Sequence, residues 1–98
     1  MARSMILDSR DNVSTLLEKS SKGEEIIILS PSKEEIKRIK SVEDIPQGHK
    51  ISVVDIEEGS EIRKFGENIG RASDEIKEGS HVHIHNVESN IGKTRSDD

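Results

Sequence analysis

The feature that most limits how this chain can fold is a turn device written three times. Asp44 to Ile51 reads DIPQGHKI, Asp55 to Ile62 reads DIEEGSEI, and Glu75 to Val82 reads EIKEGSHV. Each copy is an acid, an isoleucine, two residues, a glycine, two residues, and then Ile or Val. Such a string describes an apolar anchor, a turn whose glycine takes positive φ without steric cost, and a strand that starts about two residues later. A weaker fourth copy ends at Gly23 and Ile26. The copies start eleven and then twenty residues apart, an irregular spacing that marks a recurring turn and not a solenoid.

The segments between the turns read mainly as short strands. Asp11 to Leu17 opens the ordered part, and Glu25 to Leu29 (EIIIL) is a β-branched run too short for an ordinary helix. Pro31 breaks that run. Ser32 and Glu35 have capping-box spacing and Ile36 and Ile39 are three apart, which predicts a short helix over Lys33 to Ile39, with a strand as the alternative. Gly66 and Gly70 flank Asn68 and Ile69, which predicts a tight hairpin turn there. The sum is an all-β domain over residues 11–88, preceded by a lead-in over 1–10 and followed by a flexible polar tail over 89–98.

Composition bounds the function. With 98 residues, 30% of them apolar, and Phe65 the sole aromatic, the core is thin and built from Ile, Val and Leu. A charge of -5 and the lack of Lys/Arg clusters interleaved with aromatics argue against nucleic acid as a partner. Without cysteine there is no disulfide framework and no thiolate metal site. MARSMILDSRD lacks the apolar run of a signal peptide and no stretch has the length of a membrane span, so the expectation is a cytoplasmic protein with no membrane partner. There is also no Gly-rich phosphate loop and no nucleophile motif.

The chemistry is concentrated in Gly79 to Val87, GSHVHIHNV, which holds three of the four histidines. As a strand it would put His81, His83 and His85 on one face, with neighbours about 6.5 Å apart, and Val82 and Ile84 on the other. Two such imidazoles can converge on an ion or an anionic ligand, although an exposed strand face can carry them without any role. His49, taken alone, reads as a solvated side chain. The Glu34-Glu35 and Glu57-Glu58 pairs read as solvated faces.

Taken together, the segments resemble a known family. Ile45 to Lys50 (IPQGHK), Asp55 to Gly59, Phe65-Gly66, Ile69-Gly70, and Gly79 to Asn86 follow in the order found in the N-terminal SAF domain of the altronate and galactarate dehydratase family. Asp11-Asn12-Val13 resembles the opening of such domains, and the chain is also similar to the small subunit of sulfolactate sulfo-lyase. The resemblance implies a SAF-type β-clip of short bent hairpins. It also implies the role of a small subunit in a two-component hydro-lyase, working with a larger dehydratase catalytic subunit on a sugar acid. His83, His85 and His49 are then the metal ligands for a divalent ion, iron or manganese ahead of zinc. His49, Lys50 and Asn86 are the substrate contacts, and His81 ranks below these. A sulfo-lyase small subunit and a non-catalytic carbohydrate-binding or assembly module are the alternatives.

Overall fold

The computed structural model describes residues 1–89. Nine strands form, and no helix occurs among the described residues: β1 (Ala2–Met5), β2 (Val13–Leu16), β3 (Glu25–Leu29), β4 (Glu35–Lys40), β5 (Lys50–Ser52), β6 (Glu61–Lys64), β7 (Glu67–Ala72), β8 (His81–Val82) and β9 (Val87–Ser89). They make a six-stranded sheet ordered β4-β3-β1-β2-β5-β8 and a three-stranded sheet ordered β6-β7-β9. The all-β expectation is met. Among the described residues no helix is long and apolar enough to cross a membrane.

The repeated turn behaves as its composition dictates. Gly23, Gly48, Gly59 and Gly79 all take φ between +83° and +87°. The strands that follow begin at Glu25, Lys50, Glu61 and His81, each two residues on. The anchoring isoleucines are buried, and the turns dock in pairs. Ile56 and Ile76 exchange both backbone hydrogen bonds, at 2.7 and 2.8 Å, and Ser20 and Ile45 do the same at 2.9 and 2.8 Å. In two copies the acid serves the partner turn: Asp44 Oδ1 accepts the Lys22 N–H, and Asp55 Oδ1 accepts the Glu78 N–H, each at 2.8 Å. A turn amide is thereby given a partner by a neighbouring copy.

Three local expectations are corrected. The first ten residues contain β1, which lies between β2 and β3 at the centre of the larger sheet, with Ala2 and Ser4 buried. ARSM carries no β-branched run, so its strand state comes from pairing with the EIIIL segment, Ala2 opposite Ile26 and Met5 opposite Leu29. Over Lys33 to Ile39 the alternative holds: β4 pairs antiparallel with β3, and the tight turn before it places Lys33 at φ +70°. The Ser30 hydroxyl there accepts the Glu34 N–H at 3.1 Å, and no helix cap forms. β4 is a sheet edge, and Glu35, Lys37 and Arg38 guard it with charge.

The third correction concerns the β6–β7 hairpin. Its turn is Phe65-Gly66, with φ of +58° and +73°, and Asn68 to Gly70 lie inside β7. Positive φ at both central residues is the two-residue geometry that matches strand twist. The buried Asp11 carboxylate secures it, accepting the Phe65 N–H at 3.0 Å and the Gly66 N–H at 2.8 Å. Of the polar tail expected over 89–98, Ser89 ends β9 and the rest lies outside the described residues.

Aliphatic side chains close the structure in two clusters. One joins Leu16, Ile26, Ile28, Ile45 and Ile51 beneath the larger sheet. The other gathers Val13, Ile56, Ile62, Ile76 and Val82, with Ile69 and Val87 packed against it. Val82 belongs to the second cluster, so β8 is pinned at the residue between two histidines.

Candidate metal centre

The site is built on the antiparallel pair β5 and β8, with Lys50 opposite Val82 and Ile51 opposite His81. The Gly48 turn delivers His49 to the start of β5, and the Gly79 turn delivers His81 to the start of β8. His49 is fixed by its carbonyl, which accepts the Leu16 N–H at 2.9 Å. Gly79 meets the preceding loop backbone to backbone, because a Cβ there would run into the Lys40 carbonyl oxygen.

After Val82 the expected strand does not continue. Residues 83–86 form a turn in which the Asn86 N–H donates to the His83 carbonyl at 3.0 Å. The Asn86 side chain locks it: Oδ1 accepts the His83 N–H at 2.9 Å and Nδ2 donates to the His81 carbonyl at 2.8 Å. Asn86 is buried, and this local bonding competes with strand extension. Ile84, expected on the core face beside Val82, is instead 84% exposed at the tip of the turn.

The turn folds the histidines into a cluster. His49 Nδ1 lies 2.8 Å from His81 Nε2. Ring centroids are 4.5 Å apart for His49 and His83, 5.0 Å for His49 and His81, and 5.2 Å for His81 and His83. One nitrogen from each of His49, His81 and His83 falls within 4.8 Å of the other two. His85 is exposed, lies 5.3 Å from His81 between ring centroids, and stands outside that set. Of the three ligands expected from sequence, His49 and His83 are brought together and His85 is not. His81, ranked lowest, is the hub.

The electrostatics favour neutral rings. Burial first, and then the neighbouring imidazoles, pushes His81 below the ordinary histidine value, with Glu43 opposing weakly. Burial, His49 and Lys50 push His83 down as well. Neutral imidazole is the form that ligates metal, and three gathered imidazole nitrogens suit a divalent ion. With metal–nitrogen bonds of about 2.1 Å, adjacent ligand atoms sit about 3 Å apart, close to the spacing of the His49–His81 pair.

A cleft of about 210 Å³ opens beside the cluster, lined by Lys50, Ile69, His83, Ile84 and Val87. Lys50 is half-buried, and burial followed by the nearby Lys64 charge lowers its pKa. Among the expected substrate contacts, Lys50 faces this cleft and His49 the cluster, whereas both polar groups of the Asn86 side chain are bonded within the turn. Sequence reasoning missed Glu43, whose Oε2 accepts the His81 N–H at 3.0 Å. Thirty-eight residues separate the two, and no spacing signal connects them.

The match to known proteins is decided by the whole chain. Residues 2–90 fit the family model for the altronate/galactarate dehydratase SAF domain. The chain belongs to this family. The SAF match starts at residue 2, where β1 starts, so residues 2–10 of the expected lead-in fall within it. Among its relatives, altronate dehydratase of Bacillus subtilis (strain 168) is 36% identical over 85 residues, covering 87% of this chain and 16% of the relative. Altronate dehydratase of Escherichia coli (strain K12) is 32% identical over 81 residues, covering 83% and 15%. The (2R)-sulfolactate sulfo-lyase subunit alpha of Chromohalobacter salexigens is 42% identical over 45 residues, covering 46% of this chain and 48% of that subunit. The SAF chain therefore spans a small fraction of the altronate dehydratases it matches, and a larger one of the sulfo-lyase subunit.

Proposed function

We propose that this SAF domain is the small subunit of a two-component hydro-lyase that eliminates water from a sugar acid such as altronate. It works in the cytoplasm with a larger dehydratase catalytic subunit. The observation that carries the reading is the convergence of His49, His81 and His83, which offers three imidazoles to one divalent cation, iron or manganese ahead of zinc. When bound, such an ion would supply stabilisation for the enolate-like charge and for the departing hydroxyl oxygen.

The chain's own groups have separable tasks. One nitrogen from each of His49, His81 and His83 lies within 4.8 Å of the others, and burial lowers the pKa of His81 and His83, which favours the neutral, ligating form. Lys50, one residue past His49, offers a cation to a substrate carboxylate at the mouth of the cleft. Asn86 holds the turn that carries His83. Ile84, exposed beside the cleft, is placed to meet an apolar surface of the catalytic subunit. The base that removes the proton beside the carboxylate belongs to that subunit in this reading.

The test is reconstitution with the larger subunit and an assay of altronate dehydration. The double substitution His49→Ala/His83→Ala should abolish turnover while the small chain remains folded. Unchanged turnover would sink the proposal. A second reading, sulfite elimination from a sulfonated hydroxy acid, draws on the sulfo-lyase alpha subunits, of which this chain covers 48% and 78% in two cases. The same reconstituted complex given sulfolactate separates the two. A complex inert toward both acids favours a non-catalytic binding or assembly module.

A further inference from the structure

The loop between β4 and β5 carries a side chain that the proposed function leaves without a task. Glu43 is half-buried, and its Oε2 accepts the backbone N–H of His81 at 3.0 Å. β8 is the last strand of its sheet and is paired on one side only, by β5. The Glu43 carboxylate takes the place of the missing strand for His81.

The loop is itself clamped to this position. The Ser41 hydroxyl donates to the Glu43 carbonyl at 2.6 Å, and the Val42 N–H donates to the Gly79 carbonyl at 3.0 Å. The Gly79 backbone lies directly against the Lys40 carbonyl. Glu43 bonds the His81 main chain, whereas His49 of the same loop reaches the ring, and His81 is the ring that touches His49, His83 and His85. A small rotation of the His81 backbone would move the hub of the cluster.

We propose that Glu43 is a positioning residue for the centre, holding the His81 main chain at the sheet edge so that its ring stays against His49 and His83. This inference rests on the metal reading above. The side chain acts through its acceptor oxygen, since a glutamine can accept the same N–H and an alanine cannot.

The experiment titrates the full chain with Mn2+ by calorimetry and follows exchange of the His81 amide in metal-free protein. Glu43→Ala should weaken Mn2+ binding about tenfold or more and Glu43→Gln by no more than about threefold, as expected for an outer partner of a ligand. Amide exchange at His81 should accelerate in the alanine variant and stay slow in the glutamine variant. Wild-type affinity in Glu43→Ala overturns the inference, and so does equal weakening in both variants. An alanine chain that unfolds also overturns it, by assigning Glu43 to fold stability alone. A wild-type chain that binds no Mn2+ removes the metal reading itself, an outcome distinct from wild-type binding that ignores Glu43.

Discussion

His49 Nδ1 stands 2.8 Å from His81 Nε2, although the two residues are thirty-two positions apart, His49 just before β5 and His81 at the start of β8. Two imidazole nitrogens this close require at least one neutral ring between them, as donor to acceptor or as two lone pairs facing a cation. The pair therefore ranks the histidines. His81→Ala should weaken divalent metal binding by more than about tenfold, and His85→Ala by no more than about twofold, since even outer partners of a ligand are worth tenfold or more. Calorimetric titration of each variant checks the order, and an equal loss for both would return His85 to the ligand set.

The depressed histidines set a pH dependence. His81 and His83 have folded values below the ordinary 6.5, so the unfolded chain takes up protons first as pH falls. Their contribution to stability is fully present above that value and is lost as pH drops through their lower folded values. Thermal melts across this window should show Tm falling on acidification, with a smaller fall in His81→Ala/His83→Ala. Metal affinity should decline over the same range, because protons compete for the ligand nitrogens.

Asp11 is the support of the β6–β7 hairpin, and its loss strands the N–H groups of Phe65 and Gly66 together with that of Asp8. Asp11→Ala should cost about 1–3 kcal/mol, the usual effect of leaving a buried donor unpaired. Denaturant unfolding measures it. A change near zero would show that water satisfies Phe65 and Gly66 equally well.

The turn glycines are unequal. Gly48 and Gly79 share positive φ, and a Cβ at Gly48 meets nothing within 4 Å, whereas at Gly79 it meets the Lys40 carbonyl. Gly48→Ala should cost about 1 kcal/mol, the backbone penalty alone. Gly79→Ala should cost clearly more and should also disturb His81, two residues on. Melting curves, together with Mn2+ titration of both variants, test the pairing of these effects.

Much of this architecture was legible in the chain because it is local. Acid, isoleucine and glycine at fixed offsets specify a turn and the next strand, and the structure starts each strand two residues after its glycine. What escaped was set by partners distant in sequence. β1 exists because Ala2 to Met5 lies along Ile26 to Leu29, and ARSM has no strand signal of its own. The histidines were read by period-two alternation, which holds only for an extended strand. The Asn86 side chain closes a turn instead, leaving His83 in the cluster and turning Ile84 outward. Position in a motif ranked His81 last, and pairing across β5 and β8 makes it the hub.

The most direct test of the central claim is X-ray absorption on the full chain loaded with Mn2+. The account predicts a first shell containing three imidazole nitrogens, reduced to two in His81→Ala and unchanged in His85→Ala. A shell of oxygen atoms alone, or one that ignores His49, His81 and His83, would contradict it.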